Sequence, residues 1–285
     1  MKKPNYEHLL HQLPSGIVMS DVEKRAVHRL NNGEWVLEKD IVASERPLSI
    51  DLKNEEGLFR WVSILRTPGA DKELVTGLLV SEGVLKGCTI SEIEITLSDD
   101  MATVLLPQGG GFDITPRGRI RNGSACGICG RQDFSDLLAR VHECSIRGIE
   151  IESTLLLELP EKMLKVQSAF TSTGGIHAAG LFTSGGENLV VREDIGRHNC
   201  VDKVVGAGIY LDIQFPNTIL CLSGRIGSEL VLKAIAAEIP AIVAIGAASS
   251  MAVDLARQAG IALYGFTRNN STVSYLLPQD DSVGE

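Results

Sequence analysis

From residue 160 to 277, short apolar runs alternate with helical spacings, and this alternation restricts the fold more than any other feature of the chain. The spacing predicts a helix over 160–167, with Pro160 at its first position, where the missing N–H costs nothing. Residues 178–182 and 188–192 read as strands joined through Ser184-Gly185-Gly186, a hairpin signal. A helix over 196–210 follows, with Val201, Val204, Val205 and Ile209 on one face. Next come a strand over 218–222, a helix over 227–238 stopped before Pro240, and a strand over 241–245. A helix over 250–259 ends at Gly260, and strands over 261–266 and 272–277 complete the pattern. Strands alternating with helices predict an α/β layer with a mixed, mostly parallel sheet.

The order helix, strand, strand, helix, strand, helix, strand, helix, strand is that of the three-layer cytidine-deaminase-like fold, an analogy that implies no function by itself. The first half reads differently. Residues 16–42 suggest short strands around an Asn-Gly turn signal at Asn32-Gly33. Residues 49–52 alternate, and 58–65 form another apolar segment before Arg66-Thr67-Pro68-Gly69. Asp71 is the expected N-cap of a helix over 72–81, and Gly83 its stop. Residues 90–97 and 101–106 pair as antiparallel strands across Ser98-Asp99-Asp100. A short helix is expected over 133–141. The chain thus divides into a polar tail (1–14), a small α+β domain (15–106), a glycine-rich cysteine loop with a connecting helix (107–148), and an α/β domain (149–285).

Composition excludes several classes of function. The net charge of −9 disfavours binding nucleic acid or anionic membrane over the whole surface, although a local basic patch still suits phosphate. Aromatic residues make up only 5 %, too few for a base-stacking platform along a nucleic acid. No apolar run reaches the ~18 residues of a membrane span, and the N-terminal stretch lacks the apolar centre of a signal peptide. A cytoplasmic protein is expected, in which the six cysteines stay reduced.

Two of those cysteines, Cys126 and Cys129, stand at C-x-x-C spacing within Gly123-Ser124-Ala125-Cys126-Gly127-Ile128-Cys129-Gly130, flanked by Arg119, Arg121 and Arg131. Cationic flanks favour thiolate, the reactive form. Three readings stand. A structural zinc site needs four ligands, and Cys88, Cys144, Cys200 and Cys221 are isolated, so no metal site is expected. A thioredoxin-like redox pair belongs between a strand and a helix, and the glycine-rich flanks do not fit it. A thiolate that accepts and passes on sulfur as a persulfide suits an exposed glycine-rich loop.

Further motifs sit at predicted element ends. Asp194, Arg197 and His198 lie where a strand leads into a helix, and helix N-termini bind anions. The bland alternative there is a capping Asp194 and a solvated arginine. The zinc deaminases carry P-C-x-x-C at the next helix; here Ser223-Gly224-Arg225-Ile226-Gly227 stands instead, so zinc deamination lacks its ligands. Ser223 and Arg225 suggest an oxyanion or phosphate cradle. Thr173-Gly174-Gly175-Ile176-His177 is a small-residue loop that suits either close approach to a ligand or a plain turn. Gly265-Phe266-Thr267-Arg268-Asn269-Asn270 ends a strand, where ligands collect in α/β sheets. Phe266 or Arg268 suits stacking on a flat base, and Arg268 suits phosphate.

Taken together, Arg66-Thr67-Pro68-Gly69, Gly77-Leu78-Leu79-Val80-Ser81-Glu82-Gly83, Cys126-Gly127-Ile128-Cys129-Gly130, Thr173 to His177, Glu193 to Lys203, Ser223-Gly224-Arg225 and Gly265-Phe266-Thr267-Arg268 resemble the formate dehydrogenase accessory sulfurtransferase family, FdhD. The resemblance covers about residues 40–275. It implies that Cys126 accepts sulfur from a cysteine desulfurase as a persulfide, with Cys129 assisting. It implies delivery of that sulfur to the molybdenum cofactor, in its bis(molybdopterin guanine dinucleotide) form, before insertion into formate dehydrogenase. It places the guanine dinucleotide, or a guanine nucleotide in its stead, on Gly265, Phe266, Thr267, Arg268, Asn269 and Asn270. Cys200 stands where a small residue is expected and receives no chemical role. A cofactor chaperone that binds and delivers without a reactive Cys126 is the alternative. A homodimer is expected on the frequency of two-fold assemblies alone.

Overall fold

The computed structural model describes residues 21–85, 90–107 and 146–276. The cysteine loop with Cys126 and Cys129, the expected helix over 133–141, Cys88, Cys144 and the tail 1–14 lie outside them. The described chain begins with a long hairpin, β1 (Val22–Asn31) and β2 (Glu34–Ala43), turned at Asn32 and Gly33, whose φ angles of 51° and 88° give the left-handed geometry that matches strand twist. The several short strands expected over 16–42 are therefore two long ones.

A four-stranded sheet follows, built from β3 (Arg46–Asn54), β4 (Gly57–Arg66), β5 (Glu94–Ser98) and β6 (Met101–Leu105) in the order β4-β3-β6-β5. The expected antiparallel pair β5–β6 is present, and β6 joins β3 in a parallel ladder that short-range pattern could not reveal. Helix α1 (Asp71–Ser81) covers one face, burying Leu74, Val75 and Leu79 against Leu48, Ile50, Leu52, Ala102 and Val104. Asp71 is its first residue rather than its cap. Its carboxylate is taken by Arg66 with two contacts of 2.9 Å, and Ala70, at φ 55°, makes the turn. Gly83, at φ 68°, follows the helix end as expected.

The second half forms a six-stranded sheet of β7 (His177–Thr183), β8 (Asn188–Asp194), β9 (Thr218–Leu222), β10 (Ala241–Ala244), β11 (Ala262–Arg268) and β12 (Ser271–Leu276), in the order β12-β11-β10-β9-β7-β8. The sheet is mixed. Strands β8 to β11 point the same way, yet only the β9–β10 and β10–β11 ladders are parallel. The short β7–β8 and β11–β12 connections force antiparallel pairing, so "mostly parallel" holds for strand direction and not for the ladders.

Strand alternation splits the core in two. Leu220 and Leu222 face α4 (Arg197–Tyr210), α5 (Ser228–Ala236) and α6 (Ser250–Ala259), among Val201, Val204, Val231 and Leu255. Ile219 and Cys221 face the opposite side, among Leu156, Leu159 and Met163 of α2 (Ser153–Leu164). Helix α2 starts seven residues before the expected boundary and carries Pro160 in its interior, where a buried apolar face against the sheet outweighs the lost hydrogen bond. A six-residue helix, α3 (Ser168–Thr173), was not expected.

The two halves meet where α1 crosses α4. A Cβ on Gly77 would stand 1.9 Å from the Asp202 carbonyl oxygen, and one on Gly206 would stand 1.9 Å from that of Glu73. Each helix thus offers a glycine to the other's backbone. Polar pins flank the crossing: Arg192 grips Glu73 at 2.5 and 2.7 Å, and Thr76 meets the Tyr210 hydroxyl at 2.7 Å. Buried Asp202 accepts from Ser81 at 2.7 Å and from Lys233 of α5 at 2.7 and 2.8 Å. Replacing Gly206 by Ala must push the helices apart. Urea denaturation is expected to register a loss of about 1–3 kcal/mol, the usual cost of overpacking. A loss below about 0.5 kcal/mol, the scatter of neutral surface changes, would mean the crossing yields freely.

Candidate functional site

Arg66 and Thr67 occupy the interior. The Arg66 guanidinium, 1 % exposed, donates to both Asp71 oxygens, to Asp100 and to the carbonyls of Arg46, Pro47 and Asp99. Thr67 donates its hydroxyl to the Ser44 carbonyl at 2.9 Å and accepts from the Ile195 N–H at 3.0 Å. Its own N–H donates to Asp194 Oδ2 at 3.1 Å.

Asp194 is the centre of this network. It is fully buried, and four donors converge on it: the N–H of Thr67, Lys203 Nζ at 2.7 Å, the N–H of Gly196 at 2.8 Å and Asn199 Nδ2 at 2.8 Å. Lys203 also donates to the carbonyls of Thr67 at 2.8 Å and Glu193 at 3.3 Å. Asp194 was expected to touch a cofactor. The structure places it behind the site, where its lone pairs are taken by the protein, so it fixes the turn into α4 instead. Neighbouring Glu193 caps α3 by accepting from the N–H groups of Ala169 at 2.9 Å and Phe170 at 2.7 Å. Thr173 and Gly174 are likewise used locally. The Thr173 hydroxyl donates to the Ala169 carbonyl at 2.7 Å, and Gly174, at φ 64°, ends the helix.

The remaining expected residues gather along one edge of the six-stranded sheet, where β8, β9, β10 and β11 end and β7 begins. Ser223 continues the β7–β9 ladder: its N–H donates to the Ala178 carbonyl at 3.0 Å, and its hydroxyl accepts from the Ala178 N–H at 2.8 Å. Beside it, a Cβ on Gly224 would touch the His177 ring at 3.4 Å. Gly246, at the end of β10, donates to the Gly224 carbonyl at 3.1 Å and accepts from the Phe266 N–H at 3.0 Å. A Cβ on Gly246 would collide with Gly224 and Arg225 backbone at 2.7–2.8 Å, and one on Gly265 with the Gly246 oxygen at 2.9 Å. Three adjacent strands therefore end in a crest without side chains. Gly246 directly follows the strand expected over 241–245 but was not singled out, because nothing in sequence marks which glycines become neighbours.

At one end of the crest stands Phe266, 42 % exposed and held at φ 53°. A bulky residue in the left-handed region is uncommon and stores backbone strain. A bulge between Gly265 and Arg268 accompanies it. Thr267 points inward, fully buried, its hydroxyl 2.9 Å from that of Thr272. Asn269 and Asn270, at φ 52° and 57°, form the two-residue turn to β12. Of the six expected residues in this segment, Phe266 and Arg268 offer exposed side chains suited to a ligand; Thr267 packs inside and the two asparagines shape the turn.

At the other end α4 begins at Arg197 without a side-chain cap. His198, 8 % exposed, has no hydrogen-bond partner on either ring nitrogen, and its Nε2 lies 3.9 Å from Glu229 Oε2 in the first turn of α5. Glu229 was missed in the sequence because its relevance depends on the approach of two helices. Burial, helped by Arg197 and His198, pulls the half-buried His177 below the ordinary histidine value, so its ring is neutral at pH 7. Among the described residues Arg197, Arg225 and Arg268 form no ion pair. Burial raises the thiol of Cys200 well above the usual range and that of Cys221 to about 12, which leaves both as unreactive thiols.

The arrangement is an α/β protein whose sheet edge offers an exposed aromatic, guanidiniums without an ion pair among the described residues, and helix N-termini without a side-chain cap, groups suited to an anion and a flat ring. Residues 43–280 match the FdhD/NarQ family. The chain is 40 % identical to a sulfur carrier protein FdhD from Thermoplasma acidophilum over 90 % of this chain and 92 % of that one. It is 40 % identical to another from Sulfurisphaera tokodaii over 88 % and 95 %, and 37 % identical to one from Streptomyces avermitilis over 89 % and 93 %. A crystal structure described as that of a candidate formate dehydrogenase accessory protein from Desulfotalea psychrophila shares the fold. Its TM-score is 0.70 at 22 % identity, over 91 % of this chain and 98 % of that one. The chain belongs to the FdhD/NarQ family.

Two outcomes are expected from the network and the thiols. Asp194→Ala leaves Lys203 as an uncompensated buried charge and should cost about 3–5 kcal/mol in chemical denaturation. In native protein, iodoacetamide at pH 8 should leave Cys200 and Cys221 unmodified by peptide mapping; labelling of either would contradict their burial.

Proposed function

We propose that this chain is a sulfur carrier that serves formate dehydrogenase and acts as a sulfurtransferase through a persulfide on Cys126. The observation that carries this reading is the family match over residues 43–280, together with full-length relatives named as sulfur carriers. In the first step the Cys126 thiolate attacks the outer sulfur of a cysteine desulfurase persulfide. A new S–S bond forms to Cys126, the donor's S–S bond breaks, and the donor cysteine leaves as thiolate. Cys129 assists at C-x-x-C spacing. The Cys129 thiolate then attacks Cys126 Sγ: the persulfide S–S bond breaks, a Cys126–Cys129 disulfide forms and supplies the two electrons, and the outer sulfur leaves at the sulfide level. It goes to the molybdenum cofactor in its bis(molybdopterin guanine dinucleotide) form, which is substrate here and travels on to formate dehydrogenase. A thiol reductant reopens the disulfide.

The crest suits such a substrate. Phe266 offers a face to a guanine ring, and Arg268, Arg225, Arg197 and the N-terminus of α4 offer donors to its phosphates. A chain with net charge −9 needs a local positive site to hold a polyanion. The same reading takes the 149–285 part as cytidine-deaminase-like, in line with its element order, and the 107–148 stretch as the link to the small 15–106 part. It also takes the protein as a cytoplasmic homodimer.

Intact mass after incubation with a cysteine desulfurase and cysteine tests the central step. Native protein is expected to gain one sulfur atom, mapped to Cys126, and Cys126→Ala to gain none while keeping its fold. Sulfur on the Cys126→Ala variant would overturn the assignment. Full maturation of formate dehydrogenase by Cys126→Ser would instead establish a chaperone that only binds and delivers the cofactor. Arg268→Ala should weaken GDP binding about tenfold in calorimetry, the worth of a charge-assisted hydrogen bond.

A further inference from the structure

Among the described residues the β1–β2 hairpin is a ribbon that no other strand joins. A two-stranded ribbon is at best marginally stable in water unless something packs on it. Residues directly opposite one another share a face, so the register divides its side chains into two sets. One face satisfies its own charges. Arg25 pairs with Glu23, and Arg29 pairs with Glu38 and, at 3.7 Å, with Asp40. The other face runs from the pair Val22–Ala43 at the root to Leu30–Trp35 at the tip and holds no carboxylate. Its permanent charges are Lys24 and Lys39, which form no ion pair among the described residues.

The root of this carboxylate-free face is covered. Val22 packs with Ala169 of α3 and with Ile176, and Ile41 and Ala43 join them. Toward the tip the cover ends: Leu37 is 38 %, Leu30 53 % and Trp35 67 % exposed. The open part runs from Ala26 to Leu30, four residues or ~13 Å of strand. Large apolar side chains exposed in one patch mark a contact surface, and tryptophan is over-represented where partners anchor.

Charge decides what fits there. A second copy laid face to face would bring the lysines of both chains into one interface with no carboxylate from either. The 1–20 stretch carries Lys2 and Lys3 against Glu7, an excess of the same sign. An anionic bilayer suits lysines, but entry of the tip would carry Glu34 in beside Trp35. The root shows the kind of element the ribbon accepts, since a helix, α3, packs on β2.

We propose that the open face of the β1–β2 hairpin docks an acidic amphipathic helix of another protein. The apolar stripe of that helix meets Leu30, Trp35 and Leu37, and its carboxylates meet Lys24 and Lys39. Apolar burial at Trp35 supplies the anchor, and the lysines select the sign of the partner. The docking face does not rest on the persulfide reading, and Cys126 chemistry stands or falls separately.

Calorimetry with two synthetic helical peptides tests this. Both have about 18 residues with leucines along one face; one carries glutamates on the flanks and the other carries lysines in their place. Native protein should bind the glutamate peptide about tenfold or more tightly than the lysine peptide. Trp35→Ser should cost about tenfold or more of that affinity. Val36→Ser, 46 % exposed on the opposite face, should leave it unchanged. Lys24→Glu combined with Lys39→Glu should reverse the preference. All four side chains are exposed, so the variants keep their fold. Binding of neither peptide, equal affinity for both, or equal losses in Val36→Ser and Trp35→Ser overturns the proposal. Light scattering should give the same mass for native protein and Trp35→Ser; a dimer split by the substitution would give the face to a second copy and overturn the proposal. Binding of native protein to phosphatidylglycerol vesicles that is lost in Trp35→Ser would give it to a lipid surface and overturn the proposal likewise.

Discussion

The fully buried carboxylate of Asp194 is the constraint on which the rest depends. A charge taken out of water is costly unless paired and hydrogen-bonded. Here Lys203 supplies the countercharge, and the N–H groups of Thr67 and Gly196 and the Asn199 amide supply the rest. The donors come from three places: the segment after β4, the turn into α4, and α4 itself. Satisfying one carboxylate therefore locks β4, an edge strand of the small sheet, to β8 at the large sheet's edge and sets where α4 begins.

The consequences reach the site. Once α4 starts where Asp194 dictates, its open N–H groups and His198 face the strand ends. The Gly77 and Gly206 contacts let α1 lie directly on α4 and hold it from behind. Lys233 and Ser81, meeting on buried Asp202, tie α5 and α1 to the same helix. Desolvation raises the Asp202 carboxyl above its ordinary value even with Lys233 beside it. Such an acid favours its protonated form when folded, so this pair stabilises less as pH rises through the folded pKa. The site is thus rigid on the helix side. The crest contributes no side chains, and Phe266 at its far end is held in the left-handed region.

Much of the fold was legible because local rules act alone there. The Asn32-Gly33 turn, the stop at Gly83 and the strand–helix alternation after residue 178 follow from backbone preference and periodicity. The failures have a common cause. Pro160 looked like a helix start because the apolar face that carries α2 through it exists only against the sheet. Asp71 looked like a cap because Arg66, its true partner, is brought to it by tertiary packing. The parallel β3–β6 ladder joins strands separated by a helix, beyond the reach of any local pattern.

For the site, the sequence by itself singled out the candidates: Phe266, Arg268, Arg225, Arg197, His198 and His177 were all visible as polar, cationic or aromatic residues at element ends. It also determined the family, through motifs spread along most of the chain. Only the tertiary structure decided which of them share a surface and which turn inward. Asp194 and Thr267 went to the interior, where low dielectric demands that every polar atom be paired. Glu229 and Gly246 joined the edge through approaches between elements far apart in the chain. The physical reason is that side-chain type is local information, whereas burial and proximity are set by the packing of two sheets about one helix crossing.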